Sequence, residues 1–284
     1  YGAGYTDHFR VVHKRADSKE GRNEFKGSKY VQSDLNNTFE EIKRELVNGK
    51  IVLFSGTPCQ TSGLASFVGS TYREKLYLID IVCHGVPSPS VWKDYLRYIE
   101  NKIGEKAISV DFRDKTELGW AAHKESFTFA SKKVYRKTYT YMFYEHVMFR
   151  PSCEVCYFTN LIRPSDITLA DFWGWEKTDS TFNKDDKGVS LVLCNTNKGQ
   201  ELFMKVASNM YIIKTEISKC IQPNLLNPSV FNSNWQDFEL QYINKGFEYI
   251  AKKYGDLGFR YLFKRLKQKS KTAIKLLFKI LTMR

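Results

Sequence analysis

The 284-residue sequence contains no apolar run that approaches the roughly 18 residues of a membrane-spanning helix. It has no charged segment followed by an apolar stretch near its start, which is the pattern of a secretory signal. Internal repeats are absent, and so are low-complexity segments before the C-terminal tail. A hydrophobic content of 42% is enough to build a core, so wholesale disorder is not expected.

The positive charge is unevenly distributed along the chain. Nine Lys and Arg residues lie between positions 260 and 284 with no acid among them, which leaves about +4 of the net +13 for the other residues. Apolar residues alternate with these lysines at helical spacing and predict a basic amphipathic helix. Such a helix can contact an anionic membrane surface, dock on a partner or remain solvated. We expect no nucleic-acid binding, because no binding fold accompanies the charge.

The pattern of apolar residues predicts an α/β fold. A continuous apolar run at 51–54 is typical of a strand buried on both faces, and residues 76–82 predict a second buried strand. Helices are expected to follow them at 57–68 and 90–103. Thr57 is the expected cap of the first of these helices, with Pro58 at its first position. An earlier helix is expected to be capped by Thr38, with Glu41 completing a capping box, and to end at Gly49.

Further elements surround this parallel βαβ core. We expect short strands at 9–13 and 29–32, inserted antiparallel strands at 108–112, 126–130 and 134–139, further strands at 166–172, 190–195 and 211–216, and a helix at 198–208. The chain from residue 235 onward is predicted to be helical, with a break at 255–258. The expected fold is therefore a mixed sheet with a C-terminal helical extension, divided into domains 1–220 and 221–284.

The cysteines carry the clearest chemical signal. Without a secretory signal, a disulfide framework is a poor expectation, whereas a C-x-x-C pair indicates metal or redox chemistry. Cys59 is predicted in the first turn of a helix, where backbone amides stabilise a thiolate, and Cys83 ends the next strand. Cys153 and Cys156 form the C-x-x-C pair. Four thiolates suit either a 4Fe-4S cluster or a structural zinc ion.

Several motifs in fixed order resemble a known family, the beta subunits of coenzyme F-420 hydrogenase and dehydrogenase. The resemblance covers roughly residues 1–208 and is strongest to the bacterial branch associated with polysaccharide biosynthesis. The motifs are Gly27–Ser33, Phe54–Gln60, Asp80–Pro89, Cys153–Cys156 and Arg163–Gly174.

The resemblance implies two cofactors, a 4Fe-4S cluster on the four cysteines and FAD. It implies electron transfer between them. Many bacterial members carry an N-terminal ferredoxin domain with two C-x2-C-x2-C-x3-C-P runs, and this sequence has none. The sequence also lacks an initiator methionine. We therefore expect a preceding segment, or a separate ferredoxin that supplies electrons.

The resemblance also indicates where FAD binds. Glycines permit close backbone approach, hydroxyls can bond phosphate or ring atoms, and a lysine can offset pyrophosphate charge. The expected flavin contacts are Gly27, Ser28, Lys29, Ser33, Ser55, Gly56, Thr57 and Gln60. His84 follows a cluster cysteine and is the candidate catalytic residue, as a proton relay. A histidine that merely ends a strand is the alternative.

Other polar residues are expected to have structural roles. Asp80 and Asp171 are predicted to cap backbone groups, and the alternative for Asp171 is that it positions the cluster loop or lines the substrate site. The segments 113–114 and 119–120 are predicted to form exposed turns, with a substrate lip as the alternative. Cys194 and Cys220 are expected to be buried as small core residues.

These observations predict an oxidoreductase that passes electrons from a ferredoxin through a 4Fe-4S cluster to FAD and a small organic substrate. The substrate is expected to be a sugar or sugar derivative. A non-enzymatic electron-transfer adaptor and a zinc-stabilised scaffold are the alternatives. We expect a cytoplasmic protein, with the basic tail as a contact to the inner face of the membrane.

Overall fold

The structure, a computed structural model, describes residues 1–117, 119–259 and 261–263. Its strands are β1 (Gly2–Tyr5), β2 (Val11–Lys14), β3 (Val52–Ser55), β4 (Leu76–Ile81), β5 (Ser109–Asp111), β6 (Glu125–Thr128), β7 (Lys133–Arg136), β8 (Ile167–Asp171) and β9 (Ser190–Cys194). Its helices are α1 (Lys19–Asn23), α2 (Thr38–Val47), α3 (Pro58–Val68), α4 (Pro89–Ile103), α5 (Thr138–Tyr144), α6 (Asn197–Ala207), α7 (Ile217–Cys220) and α8 (Trp235–Lys253).

A four-stranded mixed sheet in the order β3-β4-β8-β9 confirms the predicted fold class. The first three strands are parallel, with Phe54 opposite Leu78 and Ile79 opposite Ile167, and β9 is antiparallel to β8. Because β3, β4 and β8 run the same way, their carboxyl ends meet at one edge of the sheet. The segments that follow β3, β4 and β8 in sequence therefore all begin at this edge of the sheet.

Helix α3 begins as the sequence predicts. Thr57 is the N-cap, Pro58 is the first helical residue, and Gln60 completes a capping box with Thr57. This arrangement satisfies two of the amide groups that a helix start leaves without intrahelical partners. Helix α4 uses the same device with Ser88, whose hydroxyl accepts a hydrogen bond from the amide of Ser90 at 3.2 Å.

The largest core is aromatic and lies outside the mixed sheet. It is built from α4, α5 and α8 against the antiparallel sheet β5-β6-β7. Trp92 lies at its centre, 4.3 Å from the Phe112 ring. Helix α8 joins the same core through Phe247, whose ring is 5.3 Å from that of Tyr95. The predicted domain boundary at residue 220 stays a prediction.

The antiparallel elements differ from the predicted ones mainly at their ends. Thr38 was expected to be a cap, but Asn37 takes that position and Thr38 is the first helical residue. The strand expected at 134–139 stops at Arg136, and α5 begins at Thr138, where the carboxylate of Glu125 accepts from the amide of Thr140. A buried acceptor at the start of α5 thus converts an apparently alternating segment into a helix.

Two segments predicted as strands are not strands. Residues 29–32 do not form a strand. One backbone hydrogen bond of the kind found between strands joins the Gln32 amide to the Pro87 carbonyl at 3.1 Å. Residues 211–216 lie on the surface, with Tyr211 exposed. The prediction that 51–54 is buried on both faces is also wrong, because Leu53 is 41% exposed. Alternation and apolarity alone do not specify a strand without a partner to pair with.

None of the helices in the described part of the chain combines the length and apolarity that crossing a lipid bilayer requires. The basic amphipathic helix predicted within 260–284 lies outside the described residues, apart from 261–263.

Glu125 makes the stability of this fold dependent on pH. Its carboxyl group is buried beside the Tyr95 hydroxyl, which lies 3.3 Å away, and burial raises its pKa to about 7. A carboxyl group whose pKa is higher in the folded chain stabilises the fold fully only below its ordinary pKa of about 4.3, and this contribution is lost as the pH rises through about 7.

We therefore expect the free energy of unfolding to fall between pH 5 and pH 7.5 in the natural chain, and to fall less in Glu125→Gln, which cannot ionise. Urea unfolding at several pH values measures this difference. Glu239→Gln, on the exposed side of α8, is the matched control and should reproduce the natural pH dependence. Parallel curves for the natural chain and Glu125→Gln would contradict the assignment.

Candidate redox site

Cys59 lies on the first turn of α3, directly after β3. Its thiol is exposed, and its Sγ atom lies 3.1 Å from the hydroxyl oxygen of Thr57. The sulfur is thus presented at a helix start, beside a hydroxyl, at the carboxyl edge of the sheet. The structure therefore agrees with the predicted location of this residue.

Cys83 follows β4 at the same edge of the sheet. Burial raises the pKa of its thiol to about 12, and a hydrogen bond from the backbone of Gly85 acts in the opposite direction. Gly85 has a φ of +135°, and a side chain there would lie 2.9 Å from the Phe149 ring and 3.3 Å from the Cβ atom of Cys153. Glycine at this position therefore allows the Cys83 turn to pack directly against the C-x-x-C loop.

The C-x-x-C loop is attached to this edge by its own backbone. The short turn Pro151–Cys153 follows an isolated bridge between Phe149 and Pro87, and the Arg150 amide donates to the Val86 carbonyl at 3.1 Å. The backbone of Val86 hydrogen-bonds the thiol of Cys153 and lowers its pKa, although burial, the larger effect, raises it.

Arg163 holds the far end of the loop. Its guanidinium donates to the carbonyl oxygens of Phe158 at 2.6 Å and Ile81 at 3.1 Å, and it forms a fully buried ion pair with Asp80 at 3.0 Å. Asp80 was expected to cap backbone groups, and it is instead the partner of this arginine. The ion pair joins the loop after Cys156 to the end of β4, next to Cys83.

The four thiols lie in one neighbourhood. The thiol of Cys83 interacts electrostatically with those of Cys59, Cys153 and Cys156. Within the described ranges, however, no three Cys, His, Asp or Glu side chains are close enough to hold one metal ion. Tetrahedral zinc needs its sulfur ligands about 3.8 Å apart, given a Zn–S distance of about 2.3 Å. Thiolates around an iron–sulfur cluster bind different iron atoms, whereas those around a structural zinc ion share one metal, and four cysteines are a known ligand set for either group.

A large cleft opens beside these cysteines. Its volume is about 1430 Å³, which exceeds the range of about 300–1,000 Å³ typical of a site for one small ligand. All the residues predicted to contact flavin line it: Gly27, Ser28, Lys29, Ser33, Ser55, Gly56, Thr57 and Gln60. Cys59, Cys83 and His84 line it as well. The cleft therefore has room for a dinucleotide and a second small molecule.

Lys29 supplies positive charge to this cleft. Burial lowers the pKa of its ammonium group to about 8. The ammonium donates to the carbonyl oxygens of Lys26 at 3.0 Å and Gly27 at 3.3 Å. Gly27 has a φ of +81°, a conformation that favours glycine, and this turn allows the two carbonyls to face the ammonium.

His84 lies between the cysteines and the aromatic core. Its ring contacts Tyr144 edge-on with centroids 6.1 Å apart, and its carbonyl accepts from the Ser229 hydroxyl at 2.7 Å. Burial is the main cause that lowers its pKa, so the ring is neutral at pH 7. The geometry leaves its predicted role as a proton relay untested.

Arg113, Asp171 and Trp173 form another wall of the cleft, and a substrate lip at 113–114 and 119–120 was the alternative that the sequence offered here. Arg113 was expected in an exposed turn, but it is buried and forms an ion pair with Asp171. Trp120 donates from Nε1 to Asp171 at 3.2 Å, and its ring stacks on Trp173 at 4.1 Å with only 7° between the planes. Asp171, expected as a backbone cap, is thus the carboxylate that holds this wall together.

The sequence contained a partial signal for this wall. A tryptophan has a large apolar ring that is stabilised by burial, and its N–H then needs a hydrogen-bond acceptor, as Trp120 finds in Asp171. Of the predictions for the two remaining cysteines, one is correct and one is wrong. Cys220 is buried as expected, whereas Cys194 is exposed at the end of β9, which contradicts its predicted place in the core.

The fold and the site together define a mixed α/β domain with cysteines and a ligand cleft at the carboxyl edge of its parallel strands. The chain belongs to the coenzyme F420 hydrogenase/dehydrogenase beta subunit family, because the model for the C-terminal region of that subunit matches residues 49–219. Membership confirms the predicted family and places the chain among the redox subunits of hydrogenases and dehydrogenases. No curated protein sequence matches the chain.

A similar fold occurs in the F420-reducing [NiFe] hydrogenase complex of Methanosarcina barkeri, seen in a xenon-derivatised structure. The match covers 90% of this chain and 80% of that chain, with a TM-score of 0.50 and 17% sequence identity. At that level of identity the likeness supports the fold alone.

The Arg113–Asp171 pair yields a stability prediction. Removing one partner of a buried pair leaves an uncompensated charge, so we expect Asp171→Ala to lower the free energy of unfolding by about 3 kcal/mol. The tryptophan emission should shift to the red as the Trp120–Trp173 wall loosens. Asp185→Ala is the control, because Asp185 pairs with Lys187 on the surface and should cost less than about 1 kcal/mol. Equal costs for the two variants in urea unfolding would contradict the assignment.

Proposed function

We propose that the chain is an iron–sulfur flavoprotein oxidoreductase, with a 4Fe-4S cluster on Cys59, Cys83, Cys153 and Cys156 and FAD in the adjoining cleft. The supporting observation is that the residues expected to contact FAD line one cleft together with Cys59 and Cys83. When bound, the cluster would supply one-electron transfer and the flavin would supply hydride transfer. The chain's own contribution is to hold both groups at one edge of the sheet.

The residues around the cleft fit these roles. Gly27 and Gly56 allow close backbone approach, and Lys29 offers a buried positive charge to a pyrophosphate or to a reduced flavin ring. Neutral His84 can accept a proton at a ring nitrogen, and we propose it as the residue that exchanges a proton with the substrate. The cleft that His84 and Trp173 both line is large enough for a second small molecule. The expected substrate class, a sugar derivative, follows from the family resemblance.

The C-x-x-C loop is the proposed place of electron entry from a ferredoxin domain or a separate ferredoxin. Large apolar side chains on this loop face solvent, with Tyr157 and Ile162 each 87% exposed and Val155 also exposed. An exposed apolar group of this kind is typical of a protein interaction site. The same observation favours the second candidate function, an adaptor that passes electrons to another subunit without its own substrate.

Metal analysis of the full-length protein, purified without oxygen, tests the cluster. We expect about four iron atoms per chain, broad visible absorbance and little zinc. Cys83→Ser should lose most of the iron, because a lost thiolate exposes the cluster. Cys194→Ser, which removes a thiol outside the site, should keep the natural iron content. Colourless protein with one zinc ion per chain would refute the proposal.

Flavin binding is tested separately by titrating the protein with FAD. Lys29→Met keeps the aliphatic stem and removes the charge, so we expect at least about tenfold weaker binding, or about 1.4 kcal/mol. Lys14→Met is the matched control, because Lys14 pairs with Glu24 and does not line the cleft. FAD that remains bound to the natural chain after gel filtration would favour the enzyme, and its absence would favour the adaptor.

A further inference from the structure

A chain of hydrogen bonds runs from His13 on β2 to the thiol of Cys59. His13 is 5% exposed, and its ring stacks on Phe54 with centroids 4.9 Å apart. Its Nε2 atom lies 3.0 Å from the carbonyl oxygen of Ser55. Because a carbonyl oxygen can only accept, Nε2 carries the hydrogen. In a neutral ring this makes Nδ1 the acceptor, and burial lowers the pKa of His13 to about 4, so the ring is neutral.

This fixed tautomer sets the direction of the following bonds. The Ser33 hydroxyl lies 2.9 Å from Nδ1 and therefore donates to it. The same hydroxyl accepts from Nε2 of Gln60 at 2.9 Å, and Oε1 of Gln60 accepts from the Thr57 amide at 3.0 Å. Three separate parts of the chain are thereby joined: strand β2, the segment before α2 and the first turn of α3.

The hydrogen-bond chain ends at sulfur. The Thr57 hydroxyl accepts from the backbone amide of Gln60, which orients it, and lies 3.1 Å from Sγ of Cys59. When that thiol is deprotonated, the hydroxyl must be the donor. Hydrogen bonds to the sulfur ligands of an iron–sulfur cluster raise its reduction potential, since they stabilise the added negative charge.

We propose that His13, Ser33 and Gln60 are positioning residues that hold Thr57 and the Cys59 thiol in place. Ser33, Thr57 and Gln60 line the cleft, but most of their polar atoms are used within the hydrogen-bond chain, which leaves the second N–H of the Gln60 amide for a ligand. These three residues therefore shape the cleft and support Cys59. The effect on the reduction potential of a cluster rests on the proposed function. The positioning of the Cys59 thiol by these hydrogen bonds does not.

The first test uses the full-length, reduced and metal-free protein at pH 7. Iodoacetamide alkylation of each cysteine is followed by peptide mass spectrometry, with exposed Cys194 as the internal reference. We expect Ser33→Ala and Gln60→Leu to speed the alkylation of Cys59 about fivefold, because a sulfur that is no longer held beside the Thr57 hydroxyl is more open to the reagent, by about 1 kcal/mol. Ser33→Thr, which keeps the hydroxyl, should restore the rate to within about twofold.

Ser126→Ala is the matched control, since Ser126 is an equally buried serine on β6 and should leave the Cys59 rate unchanged. Thermal melting of every variant checks the fold. Natural rates at Cys59 in both Ser33→Ala and Gln60→Leu, with natural melting curves, would overturn the proposal. A general loss of stability that Ser33→Thr does not rescue, with the Cys194 rate changed as well, would also overturn it.

The second test measures reduction potential in the iron-loaded protein. Ser33→Ala and Gln60→Leu should lower the potential of the cluster, and Ser33→Thr should return it towards the natural value. A purely structural role would change iron content without changing the potential of the loaded fraction, and that result counts against the proposal. If the natural protein binds no iron, the proposed function fails, and the alkylation rates still decide whether the hydrogen-bond chain holds Cys59.

Discussion

The parallel pairing of β3 with β4 and β8 is the constraint on which the site depends. In this register Ser55 lies opposite Ile79, so the strand that precedes Cys59 and the strand that precedes Cys83 end at the same edge. Parallel strands need a crossover, and α3 is that crossover, with its amide-rich start at this edge. The parallel pairing of β3 with β4 therefore explains two positions, that of Cys59 on the first turn of α3 and that of Cys83 after β4. An antiparallel pairing would place these two cysteines at opposite edges.

The C-x-x-C pair needs a different explanation, because it is about 70 residues further along the chain. Its position is set by the buried Arg163–Asp80 ion pair and by the hydrogen bonds between Val86 and the loop. A buried ion pair contributes little net stability, since desolvation offsets most of the attraction. This ion pair instead determines geometry, because it places the end of the loop beside β4. The Arg163 guanidinium suits this role, since its N–H donors have fixed directions.

The parts of the molecule that could be predicted from sequence are those that local chemistry determines. Thr57 and Pro58 specify a helix start by their own local chemistry, and the largely apolar segment 76–82 after that helix specifies a strand. Residues 211–216 alternate as a strand does, yet they have no neighbouring strand and remain irregular. The Trp120–Trp173 stack and the Arg113–Asp171 pair join residues more than 50 positions apart. No local pattern encodes such a pairing, and the same limit hid His13, whose partners Ser33 and Ser55 are distant in sequence.

The polar residues of the cleft divide into two groups by what their atoms already bind. The Lys29 ammonium donates to three backbone carbonyl oxygens, those of Phe25 at 3.4 Å, Lys26 at 3.0 Å and Gly27 at 3.3 Å, so it presents its charge to the cleft from a fixed position. Ser33 and Thr57 face the same cleft, but their hydroxyls are engaged with His13, Gln60 and Cys59. A ligand that enters the cleft therefore meets a positive charge held by backbone carbonyls and a floor of hydroxyl groups that are already hydrogen-bonded. These hydrogen bonds end at Cys59. A ligand that changes their geometry therefore also changes the surroundings of the Cys59 thiol, without contacting it.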